Sequence, residues 1–389
     1  MGGVAGHMKH LYEDASLTFR DILDILDLIG EGNLVGTEKT DGQNLFMTYN
    51  LSTGEARAAR SKGDMNNGGL AEQNLAEKFS THAHAVKSFK NAFNIFEDFF
   101  RNTDKTTEII FGSSGNNYLN LEILDDTNPN LINYNNKTLV IHRTNLSKEQ
   151  ITFLEELTKT SDNIIVNPQR ELPPPTHLVT RRIQLAINSF MIAHDLYDHS
   201  TIGDYLVWQF KRYLTHNNIM LSDPLINRFK EDCCDIIGTP AGPKRVRGLE
   251  SRQIANYYHP AQKTTIMQLV KELPNLKKHF MAPLITIIYD LEVEALRHFK
   301  SVYIDDNDTE LIRLRQLPQE IQKKFANNFK AIEFIQHHLT NLKGTNSIST
   351  AAEGFVFNHG GKTYKLTGGF APLNQIAGLA KYGRRGITL

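Results

Sequence analysis

The sequence predicts an α+β protein in which a β-rich beginning and a β-rich end form one domain of antiparallel sheets with helices, interrupted by a large, mainly α-helical insertion. Three observations lead there. Short runs of alternating hydrophobicity crowd residues 45–142, long amphipathic patterns dominate from Ser147 onward, and strand-like alternation returns at Glu353. The boundaries fall near 146 and 347, giving segments 1–146, 147–346 and 347–389.

Taken in order, Leu17–Ile29 carries Phe19, Ile22, Leu23, Leu26 and Ile29 at helical spacing, and Gly30 and Gly32 end that helix. Leu45–Asn50 and Glu55–Arg60 read as strands around the turn Ser52-Thr53-Gly54, with Arg60 and Lys62 on one side of the extended chain. Leu70–Phe100 reads as a helix whose stripe Phe89, Phe93, Phe96 and Phe100 fills a core. Glu108–Phe111, Tyr118–Leu124 and Thr138–His142 read as strands. In the second, Leu119, Leu121 and Ile123 alternate with Asn120 and Glu122, so Glu122 faces away from the core.

Ser147-Lys148-Glu149-Gln150 has the form of a capping box and opens the helical section, which Pro173-Pro174-Pro175 interrupts as a stiff connector. Helical patterns follow at Arg181–Leu196, Ile202–Leu214, Thr264–Leu273, Ala282–Phe299 and Glu320–Leu342. Glu353-Gly354-Phe355-Val356-Phe357, the turn Asn358-His359-Gly360-Gly361 and Lys362-Thr363-Tyr364-Lys365-Leu366 then read as a hairpin.

The 389 residues, 40% hydrophobic, are enough for a substantial core. Lys+Arg and Asp+Glu both number 43, so no overall basic excess marks a nucleic-acid binder, and a polyanion site has to come from local clustering. The cysteines Cys233 and Cys234 are adjacent, match no zinc spacing and read as reduced thiols. No leader pattern and no apolar run near the ~20 residues of a membrane helix is present, so the expectation is a cytoplasmic protein.

Chemistry concentrates in Thr37-Glu38-Lys39-Thr40-Asp41-Gly42-Gln43-Asn44. A lysine amine attacks phosphorus only after losing a proton, and an ordinary lysine with a pKa of ~10.4 is protonated at neutral pH. Nearby cations or a metal ion ease that loss. Arg60-Ser61-Lys62-Gly63, Leu121-Glu122-Ile123, Glu353-Gly354-Phe355-Val356 and Tyr364-Lys365-Leu366 supply cations and carboxylates in turn.

With Lys39-Thr40-Asp41-Gly42 at their head, these five segments occur in the order of the motifs of the covalent nucleotidyltransferases, the superfamily of ATP-dependent RNA and DNA ligases and capping enzymes, and the chain resembles them over roughly half its length. Glu38-Lys39-x-x-Gly42-x-Asn44 is most similar to the phage-type RNA ligases. The resemblance implies a nucleotidyltransferase, or ATP-grasp-like ligase, domain and an ATP-dependent RNA ligase that seals 5′-phosphate and 3′-hydroxyl ends through a covalent lysyl-AMP.

It assigns Lys39 as nucleophile, with Glu38, Asp41, Gly42 and Asn44 around the nucleotide. Arg60 and Lys62 compete for one phosphate-binding position. Glu122 becomes the acceptor for the ribose hydroxyls. Asn128-Pro129-Asn130-Leu131-Ile132-Asn133-Tyr134 and the strand ending at His142 bring a base-stacking side chain to the adenine, with His142 in that place. Glu353 holds Mg2+, and Lys365 contacts the α-phosphate and helps Lys39 lose its proton. The implied partners are ATP and nucleic acid, RNA above all, with no membrane.

One departure stands out. The last motif of the family has two lysines one residue apart, whereas Thr367 stands at the second position, with Lys362 displaced. The segment after Thr367 is too short for the OB domain of DNA ligases and capping enzymes. A capping-type guanylyltransferase and a catalytically impaired nucleotide- or nucleic-acid-binding protein are the alternatives. In the insertion Arg181-Arg182, Lys244-Arg245-Val246-Arg247, Trp208, Tyr257 and Tyr258 are candidate nucleic-acid contacts, against solvated helix faces and core aromatics as the plainer reading.

Overall fold

In the computed structural model the described residues are 8–172, 202–225, 308–341 and 352–377, apart from positions 12, 13, 15, 102, 104–106, 135, 368, 369, 371, 372 and 375. They form a mixed α+β protein divided into two compact units. One comprises Thr37–Gln169 with Ile312–Leu314. The other comprises Met8–Gly36 and the described residues of 170–311 and 315–389.

The first unit is built on a five-stranded sheet. Its strands are β2 (Gln43–Asn50), β3 (Glu55–Ala59), β4 (Leu119–Asp125), β5 (Lys137–Ile141) and β6 (Ile164–Val166), in the order β3-β2-β4-β5-β6. All neighbours are antiparallel except β5 and β6, which are parallel.

Alternation along the strands divides the sheet into two faces. Leu45, Met47 and Tyr49 of β2, Ala56 and Ala58 of β3, Leu119, Leu121 and Ile123 of β4, and Leu139 and Ile141 of β5 join one buried cluster. The helix α4 (Ala83–Arg101) covers that face with Phe89, Ala92, Phe93, Phe96 and Phe100, the stripe expected from the sequence. Phe96 and Phe100 meet at 4.7 Å and Phe100 meets Phe111 edge-on at 4.8 Å. Full burial of each phenylalanine stabilises the unit by about 2 kcal/mol as an upper figure.

Four local expectations change here. Glu108–Phe111 is a single helical turn, α5, rather than a strand, because Ile110 and Phe111 are drawn into the aromatic cluster. Leu70 bridges Ala58, and the helical stretch that follows breaks into α3 (Glu72–Lys78) and α4. A short helix, α2 (Lys62–Asn66), follows β3 and is capped by Ser61 and Asp64. The capping box at Ser147 does open a helix, α6 (Lys148–Thr158), but the strand β6 follows it within the stretch read as helical.

In the second unit the sheet order is β7-β1-β8-β9, with β7 (Gln169–Leu172), β1 (Leu34–Lys39), β8 (Gly354–His359) and β9 (Lys362–Leu366). β8 and β9 form the expected antiparallel hairpin. β1 gives its first three residues to this unit and its last three to the other. The helix α1 (Phe19–Glu31) starts at a Thr18–Asp21 capping box and ends at Gly32 in the left-handed region. It packs against α7 (Ile202–His216), with Phe19 and Phe210 rings 6.5 Å apart.

Farther along, the helical stretch near 320–342 is two helices, α8 (Asp308–Lys324) and α9 (Phe329–Asn341). The expected helices Arg181–Leu196, Thr264–Leu273 and Ala282–Phe299, the proline run, the two cysteines and the clusters at Arg181-Arg182, Lys244–Arg247 and Tyr257-Tyr258 lie outside the described residues. Among the described residues no helix is long and apolar enough to cross a membrane.

Candidate functional site

The second face of the five-stranded sheet is mixed, with Asn44, Asn120 and Glu122 set among the buried Phe46, Leu124 and Val140. Register places Asn44 of β2 beside Glu122 of β4, and Glu122 beside Val140 of β5. Asn44 Nδ2 donates to Asn120 Oδ1 at 2.6 Å, and Asn120 Nδ2 donates to Thr144 Oγ1 at 3.1 Å. His142, just past β5, donates its backbone N–H to Asn120 O, and its Nε2 lies 3.2 Å from Glu122 Oε2. Glu122 and His142, expected at the ribose and the base, are therefore partners of one another on this face.

Lys39 is the last residue of β1, and the chain turns through Thr40, Asp41 and Gly42 before entering β2. This turn is fastened from the loop between β4 and β5. Asp41 is 3% exposed, and its Oδ2 accepts the N–H groups of Leu131 at 2.6 Å and Ile132 at 2.8 Å. Asn130 Nδ2 donates to the Gly42 carbonyl at 2.6 Å. The Asp41 N–H donates to Tyr134 Oη at 3.0 Å, and that hydroxyl donates to Glu38 Oε1 at 3.3 Å. From the other direction Asn167 Nδ2 donates to the Glu38 carbonyl at 2.9 Å.

Gly42 is required by space. A Cβ there would sit 2.7 Å from the Glu122 Cγ and 2.5 Å from the Ile123 carbonyl, so only glycine lets the turn lie flush on β4. Burial pushes the Asp41 carboxyl above its usual value. The amides of Ile132 and Leu131 and the charge of Lys39 act the other way, while Glu122 adds to the rise. Asp41 is thus a buried anchor of the turn, within electrostatic range of both Lys39 and Glu122.

Arg60 and Lys62 do not share a strand face. Arg60 follows β3, donates from its guanidinium to the Asn44 carbonyl, and lies over the rings of Phe79 and Phe89 at 5.9 and 5.8 Å. Lys62 opens α2 and is exposed. Asp64 organises this corner: it caps α2, accepts the Arg60 N–H at 3.1 Å and pairs with Lys78 Nζ at 2.6 Å. Burial opposes the charge of Asp64, yet these bonds, led by the one from Lys78, hold its carboxyl below its usual value.

Glu353 and Lys365 belong to the second unit. Glu353 is partly exposed immediately before β8, and Lys365 is partly exposed on β9, paired across the hairpin with Val356. Thr367, at the position of the absent lysine, is buried. Lys362 is engaged elsewhere: its Nζ donates to Asp14 Oδ2 at 2.9 Å and to Ser16 Oγ at 2.6 Å. Among the described residues no group of three or more His, Cys, Asp or Glu side chains is arranged to hold a metal ion. Magnesium keeps most of its water and takes one or two protein carboxylates, and Glu353, the carboxylate that the resemblance assigns to it, is partly exposed.

Tyr134, Asn130 and Asn167 do not stand out in the sequence as partners of the turn that carries Lys39. Their partners lie roughly 90 to 130 residues away in the chain, and a polar residue in an Asn-rich loop carries no signal of its own. No family model matches the chain, and no curated protein or solved structure matches it.

Proposed function

We propose that the chain is an ATP-dependent polynucleotide ligase acting on RNA, with Lys39 as the residue that carries AMP. One observation supports this reading above the others: Lys39 ends β1 in a fastened turn whose Gly42, three residues on, lies flush on β4 against Glu122, the candidate acceptor for sugar hydroxyls. A surface lysine in an ordinary turn needs no such fastening.

In this reading the Lys39 amine, after losing a proton, forms an N–P bond to the α-phosphorus of ATP while the bond to pyrophosphate breaks. A 5′-phosphate end then displaces the lysine and takes up the adenylyl group. A 3′-hydroxyl attacks that activated phosphate, giving up its proton, and AMP departs as the phosphodiester forms. Glu122 accepts from the ribose, Asp41 and Gly42 hold the turn, and exposed Lys62 is the better candidate for phosphate because the Arg60 guanidinium is engaged with Asn44 and two rings. A magnesium ion at Glu353 would neutralise charge on the triphosphate. The roles of Glu353 and Lys365 rest on motif order alone.

Incubation with ATP and magnesium followed by intact-mass measurement tests the reading. The expected result is a gain of one adenylyl group, stable to denaturation and absent from Lys39→Ala. Saturable ATP binding without any adduct, under every divalent ion tried, would identify a non-catalytic binding protein, and an adduct formed from GTP alone would identify a capping-type enzyme.

A further inference from the structure

We infer that Tyr134 is a positioning residue for Lys39, an assignment that rests on the ligase reading. Its hydroxyl makes two bonds that straddle the nucleophile: it accepts from the Asp41 N–H at 3.0 Å and donates to Glu38 Oε1 at 3.3 Å. Lys39 lies between those two positions. The Thr40 Oγ1 is buried and makes no hydrogen bond, so the side chain of the intervening residue does not hold the turn. Asp41 and Gly42 are tied to the same loop by Leu131, Ile132 and Asn130, and the Glu38 carbonyl is tied to Asn167.

This arrangement has a consequence for chemistry. The two ends of the turn are fixed by different kinds of bond: residues 41 and 42 through several backbone groups, residue 38 through the phenol and the Asn167 amide. The phenol binds at both ends, to the Asp41 N–H and to the Glu38 carboxylate, and so braces the stretch of chain that carries Lys39. An in-line attack on phosphorus depends on sub-ångström placement of the amine. A tyrosine whose hydroxyl is committed to the turn therefore governs how often the amine is aligned more than how tightly ATP is held.

Tyr134→Phe keeps the ring and removes both bonds. In single-turnover adenylylation the rate at saturating ATP is expected to fall about tenfold or more, because alignment is lost, with the half-saturating ATP concentration little changed. Thermal unfolding of the same variant verifies that it is folded. A second measurement needs no ATP: acetylation of Lys39 by a small amine-reactive reagent, followed by peptide mass spectrometry and compared with exposed Lys87 in the same sample. Lys39 should be modified faster in the variant relative to Lys87.

A wild-type rate together with a wild-type Lys39-to-Lys87 labelling ratio overturns the assignment, as does a fall in rate caused wholly by weaker ATP binding. If the wild-type chain forms no adduct, the ligase reading fails, and the labelling ratio alone then decides: a change supports a positioning role for Tyr134, and no change removes it.

Discussion

The two units each contain an aspartate, a tyrosine and a lysine in close association, and the two trios are wired differently. In the second unit Asp14 Oδ2 accepts directly from Lys362 Nζ and from Tyr364 Oη, both at 2.9 Å, while Oδ1 accepts from Ser16 and faces Lys9 at 3.6 Å. In the first unit the Asp41 carboxylate takes backbone amides, and Tyr134 binds the backbone of Asp41 rather than its carboxylate. Burial opposes charge in both. Side-chain donors led by Lys362 overcome it at Asp14, whose carboxyl is held well below its usual value, whereas burial prevails at Asp41. Tyr364, buried against the Asp14 charge, is correspondingly pushed far above the usual phenol range. One trio closes on itself as an ion-paired clamp joining the N-terminal segment to β9. The other uses its carboxylate on the main chain, and it is there that the candidate nucleophile stands.

Truncating each aspartate gives the largest effect on that contrast. Asp14→Ala strands a lysine and a buried phenol and is expected to cost about 3 kcal/mol, and Asp41→Ala leaves two amide groups without their acceptor at about 2 kcal/mol. Urea unfolding measures both. If Asp41→Ala is neutral, the turn is not anchored as described.

The pH dependence of the isosteric variants sharpens the difference, because the signs are opposite. Asp14 has a folded pKa below the unfolded value of about 3.9, so its stabilisation is complete above that value and disappears as pH falls toward the folded pKa. Asp41 has a raised folded pKa, so its favourable share is present below about 3.9 and is lost as pH rises through the raised value. The stability deficit of Asp14→Asn should therefore shrink in acid, and that of Asp41→Asn should shrink toward neutrality. Deficits that run in the same direction would merge the two trios into one type.

The smallest effect belongs to Lys362→Met. Its ammonium is half exposed, and Asp14 retains Ser16, Tyr364 and Lys9, so a loss of about 1 kcal/mol is expected, with lysyl-AMP formation intact. Loss of the adduct would give Lys362 the role expected of the absent lysine at position 367.

The alternation Leu119, Leu121, Ile123 against Asn120 and Glu122, the phenylalanine stripe of α4, the capping box at Ser147 and the β8–β9 hairpin were all legible in the sequence, because each is a pattern of near neighbours. Glu108–Phe111 misleads because four residues with two isoleucines suit a strand or a turn of helix equally, and the aromatic cluster decides. β1 carries little strand signal in the sequence for a related reason: Gly36 weakens its middle, yet a Cβ there would meet the Val356 carbonyl at 2.2 Å. That glycine is set by the approach of a strand more than 300 residues away.

Within the candidate site, the types Lys39, Glu122 and His142 stand out locally, while the fastening of Asp41 and the withdrawal of Arg60 depend on distant partners. Arg60 and Lys62 were separated by a helix that begins between them, a start signalled by Ser61 and Asp64.

The turn that carries Lys39 is completed only when residues 130–134 have closed over it, some 90 positions after it leaves the ribosome. Helix α4 and the strands on either side of it must be synthesised first, since they separate the two halves in the chain. A nascent polypeptide ending short of Tyr134 thus holds Lys39 in an unfinished turn, and under the proposed activity adenylylation becomes a late event in the maturation of the chain.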